Sequence, residues 1–297
     1  MNREQYLAQP EVNRFAEWLV SLIDTPNGFL HSYNILRNNG TWECNSIYNA
    51  YEQYDWRFKC QMPTGVIHQG RSYMDNQIVL TQLRTHINDA FISRDNDSLR
   101  EGMKSILKWG GVLGSERRGN FRRILEIESP IEYLQTVGNL IAIETIDLDQ
   151  TDVLVANDIL INAGFTKIYS ILIDNFIIYD SRVGAALGLL ARKFLEAENE
   201  HTIPPTLSFS WAPGRGAPSA IAAENRRNPS LGHFQFKSFS TDKWIHWLDN
   251  IRASWLVESV ANGSRFAENC ELDSPSRRME AALFMIGYDV RYNNQAN

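Results

Sequence analysis

Gly164-Phe-Thr-Lys167-Ile-Tyr-Ser-Ile-Leu-Ile-Asp-Asn-Phe-Ile-Ile-Tyr-Asp180-Ser-Arg182-Val183 is the stretch that decides how this chain reads. A glycine breaks one helical pattern, and a lysine follows within a turn. An apolar run carries the chain forward to an aspartate that opens another helix. Glycine commonly closes a helix, and an aspartate at a helix start accepts N–H bonds from the first turn. The expectation is a helix from Thr151 to Asn162, a break at Gly164 and a second helix from about residue 165 to 174. A third helix opens at Asp180-Ser181, with Val183, Leu187, Leu190 and Phe194 on one face. The run from Phe176 to Tyr179 is too short to decide for a strand.

The same punctuation recurs outward from this segment. Pro10 precedes a helical face of Phe15, Trp18, Leu19, Leu22 and Ile23. From Tyr73 to Phe91, apolar residues keep helical spacing. Ser98 and Glu101 read as a capping box before Met103, Ile106, Leu107 and Trp109, and Gly110-Gly111 closes that helix. Ser129-Pro130 with Glu132 opens another. Thr241-Asp242 precedes a strongly apolar helix with Trp244, Trp247, Ile251 and Trp255. Ser274-Pro275 opens a last one that stops near Gly287. Residues from Tyr33 to Gly65 show no periodicity, and the proline-rich span from Ile203 to Gly232 reads as a long loop. The fold class is mainly α.

Composition narrows the function classes. The chain has 297 residues, with 43% hydrophobic content, enough for a sizeable core. No apolar run approaches the roughly 18 residues of a membrane span, and the first residues lack a secretory h-region. Cys44, Cys60 and Cys270 are far apart and odd in number, which fits reduced thiols in a cytoplasm. The six histidines show no metal spacing, no phosphate-cradling glycine motif is present, and no cofactor is expected. A net charge of −6 argues against a protein that coats nucleic acid. Local basic clusters remain: Arg117, Arg118, Arg122 and Arg123 around Gly119-Asn120, then Arg226-Arg227, then Arg277-Arg278, each also readable as solvated surface.

Physically, the turn before Lys167 offers a helix N-terminus to a phosphate, with Thr166 and Lys167 adding a hydroxyl and a cation. Here the sequence resembles the helix-hairpin-helix DNA glycosylase superfamily. Ile161-Asn-Ala-Gly-Phe-Thr-Lys167 looks like the family's hairpin, with one glycine where two are usual. Ile178-Tyr-Asp180-Ser-Arg182-Val183 looks like its second motif, with Arg182 in place of a histidine. The resemblance implies that Asp180 is the catalytic aspartate and Lys167 the nucleophilic lysine of the oxoguanine-type members. Asn162, Gly164, Thr166, Ser181, Arg182, Arg117 and Arg118 become the expected DNA contacts. Trp109, Trp211 and Tyr179 are candidates for a base pocket, although aromatics in helical proteins more often form core.

The implied architecture is two helical lobes with a cleft. A central lobe of residues 76–180 would carry the hairpin, and residues 1–75 and 181–297 would build the other. The implied activity is excision of a modified base, which must first be flipped out of the duplex. The partner is double-stranded DNA bearing that base, and the enzyme acts as a monomer. An oxidised purine such as 8-oxoguanine and a bulky hypermodified cytosine of phage DNA are both open as substrates. A desolvated Lys167 would attack the sugar C1′, with strand scission by β-elimination following. If Lys167 instead faces phosphate, water and Asp180 would do the hydrolysis. Arg182 is either a phosphate contact or a partner of Asp180. The rival class is a non-catalytic helical module that binds DNA or protein, and a helical adaptor without nucleic acid is a third.

Overall fold

The structure is a computed structural model that describes residues 1–35, 40–142, 144–150, 157–214, 225–239, 243–270 and 273–291. It is mainly helical, with two small antiparallel hairpins. No helix among the described residues is long and apolar enough to cross a membrane. The chain divides into two compact units. One comprises Met1–Arg3 and Asp55–Ile178, and the other Glu4–Tyr54 and Tyr179–Asn297.

In the first unit, the helices Tyr73–Ser93 and Asn96–Trp109 pack together around Val79, Leu83, Ile87, Leu99, Met103 and Ile106, all buried. Ser72 and Asp75 form a reciprocal capping box at the first helix. The second is capped by Asp95, whose Oδ1 accepts from Asp97 N at 3.0 Å and Ser98 N at 2.9 Å. The expected Ser98 cap is therefore corrected. Arg94 adopts a left-handed φ of 54°, and this leaves the very next residue extended and ready to cap. A hairpin of Phe58–Gln61 and Ile67–Gly70 lies against the Asn96–Trp109 helix, with the Cys60 thiol 3.6 Å from the Ser105 carbonyl.

The helix expected from Thr151 to Asn162 does not run to its end. Residues 151–156 lie outside the described residues, and Asn157 to Ile161 is turn and irregular chain. Asp158 is left-handed at φ 49°. Leu160 finds its partners elsewhere: its N–H donates to Tyr133 Oη at 3.0 Å, and its carbonyl accepts from Tyr169 Oη at 2.8 Å. Side chains thus satisfy backbone groups that a helix would have paired.

In the second unit, the helices Pro10–Asp24, Ile47–Glu52, Ser181–Ala197, Lys243–Asn262 and Pro275–Ile286 surround a core that includes Phe15, Phe194, Trp247 and Trp255. The Lys243–Asn262 helix is buried on nearly every face, as its apolar sequence anticipates; its expected cap, Thr241-Asp242, lies outside the described residues. A hairpin of His31–Ile35 and Gly40–Cys44 sets Tyr33 opposite Trp42. Three of the four strands in these hairpins overlap the region from Tyr33 to Gly65 that showed no periodicity, and Ile67–Gly70 follows it. Strands of four or five residues offer too few alternations to read.

Asp249 is a buried carboxylate of this core. It accepts from Ser210 N at 2.8 Å and from the Ser210 hydroxyl. Burial pushes its carboxyl up to about 6, against the Ser210 donors, which favour the charged form. The unfolded carboxyl titrates near 3.9. The native state therefore binds this proton more tightly, and the group's stabilising effect is complete below about pH 4. It is lost as the pH rises through about 6, at a cost of about 3 kcal/mol. Asp249→Asn is expected to flatten that part of the profile, measured as the difference from wild type in denaturation midpoints between pH 4 and 7. Parallel profiles for the two proteins would refute the assignment.

Candidate active site

Asp180 takes the N-cap position of the Ser181–Ala197 helix. Its Oδ1 accepts from Arg182 N at 2.9 Å and Val183 N at 3.2 Å. The residue before it is pinned on both sides. The Tyr179 hydroxyl donates to the Ser210 carbonyl at 2.6 Å, and the Tyr179 carbonyl accepts from His246 Nε2 at 2.8 Å. The helix then passes close beneath Ser210, where a Cβ on Gly184 would come within 2.3 Å of the Ser210 carbonyl oxygen. The Asp180 carboxylate itself stays half-buried.

Around this helix start lie three guanidinium groups. Arg182 stacks on Phe284 at 4.1 Å and on Tyr288 at 4.9 Å. Arg226 lies over the same Tyr288 ring at 5.3 Å, and Arg227 Nη1 donates to the Ser181 hydroxyl. Burial lowers the pKa of Arg182, with the charge of Asp180 opposing it. Arg227 is pushed down to about 10, first by burial; Asp180 counters this, while Arg182 and Arg226 add repulsion. Tyr288 is backed by a column of rings. It stacks on Tyr33 at 4.7 Å, and Tyr33 stacks on Trp42 at 4.8 Å. Gly287 lets the end of the Pro275–Ile286 helix approach this point, since a Cβ there would fall 1.8 Å from the Arg182 carbonyl oxygen.

The structure thus brings together Asp180, Ser181 and Arg182. It adds four residues that sequence reasoning left out of the site: Arg226, Arg227, Phe284 and Tyr288. Arg226-Arg227 was visible as a basic pair. Nothing local marks Phe284 and Tyr288, which reach the cluster only through the packing of the last helix.

Lys167 lies in the other unit, on the Phe165–Leu172 helix, with only 6% of its surface exposed. Its stem rests on Gly110, where a Cβ would meet the Lys167 Cδ at 2.5 Å, and its Nζ donates to the Ala163 carbonyl at 3.1 Å. The turn before it is closed on itself. Asn162 Oδ1 accepts from Gly164 N at 2.8 Å and Phe165 N at 3.1 Å. The Thr166 N–H and hydroxyl both donate to the Asn162 carbonyl, at 3.0 and 3.1 Å. Of the expected phosphate contacts, the Asn162 Oδ1, the Gly164 N–H and the Thr166 N–H and hydroxyl are thus engaged within the turn, and Thr166 is fully buried. Arg117 and Arg118 sit exposed on a tight turn closed by reciprocal Ser115–Arg118 backbone bonds of 3.1 Å, between Gly114 and Gly119, both at φ 81°.

The three pocket aromatics are also corrected, because each is packed inside its own unit. Trp109 donates from Nε1 to the buried Asn76 Oδ1 at 2.9 Å and meets Trp56 edge-on at 5.2 Å. Trp211 donates to the Phe236 carbonyl at 3.2 Å and pairs by backbone with Ser238. Tyr179 is fully buried. Trp109→Phe is expected to cost about 1–3 kcal/mol in chemical denaturation by stranding Asn76, without touching any activity of the Asp180 site. A Trp109→Phe protein as stable as wild type would contradict this.

Among the described residues no group of histidine, cysteine and carboxylate side chains could hold a metal ion. Comparisons of the chain with protein-family models, with curated proteins and with solved structures find no match.

Proposed function

We propose that this chain is a DNA glycosylase that extrudes a modified base from a duplex and cleaves its N-glycosidic bond. The observation that carries the reading is the Asp180 carboxylate, fixed at a helix start amid three guanidiniums and the part-exposed Phe284 and Tyr288. Rupture of the bond develops positive charge on the sugar, and a preorganised carboxylate stabilises such charge or activates the attacking water. The guanidiniums suit the strand's phosphates, and the rings suit an unstacked base. The reading includes a two-lobed helical enzyme that acts as a monomer in the cytoplasm, with a helix-hairpin-helix element centred on residues 161–167. Lys167 is its conditional nucleophile, and the exposed Arg117-Arg118 turn is a backbone contact. The substrate class is an oxidised purine or a hypermodified cytosine.

The closed turn at residues 162–167 favours a second reading, a non-catalytic module that binds DNA and keeps only the glycosylase-like segment. Duplexes carrying 8-oxoguanine or glucosylated hydroxymethylcytosine separate the two. Excision predicts an abasic site in one of them. Borohydride trapping of a covalent complex that is lost in Lys167→Ala would identify the lysine as nucleophile. Binding without release from any modified duplex would leave the module.

A further inference from the structure

Arg182, Arg226 and Arg227 form a cationic cluster that the described residues do not balance. Asp180 is the carboxylate that acts on Arg182 and Arg227, and none among the described residues makes a salt bridge with any of the three. Two of the guanidiniums lie on the single Tyr288 ring, and the third is tied to the Ser181 hydroxyl at the helix start. Arg227 Nε is shielded from water and has no hydrogen-bond partner among the described residues. Like charges held this close and partly desolvated repel one another, and ring stacking offsets only a part of that. A flat guanidinium fork matches the oxygens of a phosphate, and a ligand of that charge relieves the repulsion directly.

We infer that Arg226 and Arg227, with Arg182 and the Ser181 hydroxyl, form a phosphate-binding site in the unit built from Glu4–Tyr54 and Tyr179–Asn297. The inference rests on the glycosylase reading only for the phosphate's source, a strand phosphate beside the nucleotide that Asp180 addresses. A free phosphate monoester presents the same chemistry.

The test uses the full chain as wild type, as the Arg226→Gln/Arg227→Gln double variant and as Arg227→Lys. The first probe is inorganic phosphate, read as a shift in Tm against chloride at equal ionic strength. The second is a duplex with a tetrahydrofuran abasic analogue, read by anisotropy across a salt series. A strand-phosphate site predicts duplex binding about ten-fold or more weaker in the double variant. It also predicts a shallower dependence of log Kd on log salt, by about 0.9 for each phosphate that is no longer neutralised. Arg227→Lys should keep the slope while losing affinity, because charge remains without the fork. A phosphate-dependent Tm shift that vanishes in the double variant, with duplex binding unchanged, assigns the site to a free monoester. Neither effect in either probe overturns the site. If the double variant fails to fold by circular dichroism, Arg226→Gln alone carries the test, with a slope change of about 0.9 expected and no change as the refuting result. Base release that persists in the double variant with unchanged KM and slope removes the site and leaves the glycosylase reading standing. Arginine-dependent binding without base release in wild type does the reverse.

Discussion

Asp180→Asn is expected to abolish base release while leaving the fold intact. The amide oxygen can still accept from Arg182 N and Val183 N, so the helix keeps its cap. The interaction of a full negative charge with the helix terminus is lost, worth about 0.3–1 kcal/mol, and with it the attraction of that charge for Arg182 and Arg227. The chemical step loses its charged group, and a fall of about 10²–10⁴-fold in single-turnover release follows. Measuring release and thermal stability on the same preparation separates these effects. Release within a few-fold of wild type would remove Asp180 from the chemistry. Asp180→Ala should add a capping loss of about 1 kcal/mol to the same loss of release.

Gly287→Ala should have the largest effect on stability among single methyl additions at this site. The new Cβ would lie 1.8 Å from the Arg182 carbonyl oxygen and 2.5 Å from its carbon, so two backbones would have to separate. Gly287 has an ordinary φ of −76°, which makes the close approach the whole reason for glycine here. Overpacking against backbone has no flexible side chain to absorb it, and a loss of about 3 kcal/mol or more is expected in chemical denaturation. The same displacement would pull Tyr288 away from Arg182 and Arg226 and weaken the cationic cluster. Gly138→Ala is the matched control. Gly138 is exposed within the Pro130–Leu140 helix with open space at its Cβ, so alanine there should stabilise by about 0.5–1 kcal/mol. If Gly287→Ala melts like wild type, the close approach is not a constraint.

Helix ends were the most legible part of this sequence because their chemistry is local. Pro10, Ser129-Pro130, Asp180-Ser181 and Ser274-Pro275 all begin helices in the structure, and Gly110 ends one. Ser98 misled because Asp95 offered an equivalent cap one turn earlier. The site was half legible for the same reason. Asp180, Ser181 and Arg182 adjoin one helix start, whereas Arg226, Arg227 and Tyr288 reach it through tertiary packing that no spacing encodes. The aromatics named for a base pocket failed because residue type does not reveal which way a ring faces. Trp109 and Trp211 each found an internal acceptor for the indole N–H.

The chain order of the two units sets a sequence of events during synthesis. All of Asp55–Ile178 leaves the ribosome before the other unit has received any residue from Tyr179 onward. The Ile47–Glu52 helix must wait for the Pro275–Ile286 helix on which it packs, and His31 for the Ile286 carbonyl 255 residues away. Contacts of such separation close slowly. Until they close, the Trp42–Tyr33 stack lacks Tyr288, and the nascent chain carries an uncovered aromatic hairpin. The interval in which this hairpin stays uncovered is therefore the time taken to translate the chain from Asn45 to Tyr288, and slow elongation there would lengthen it.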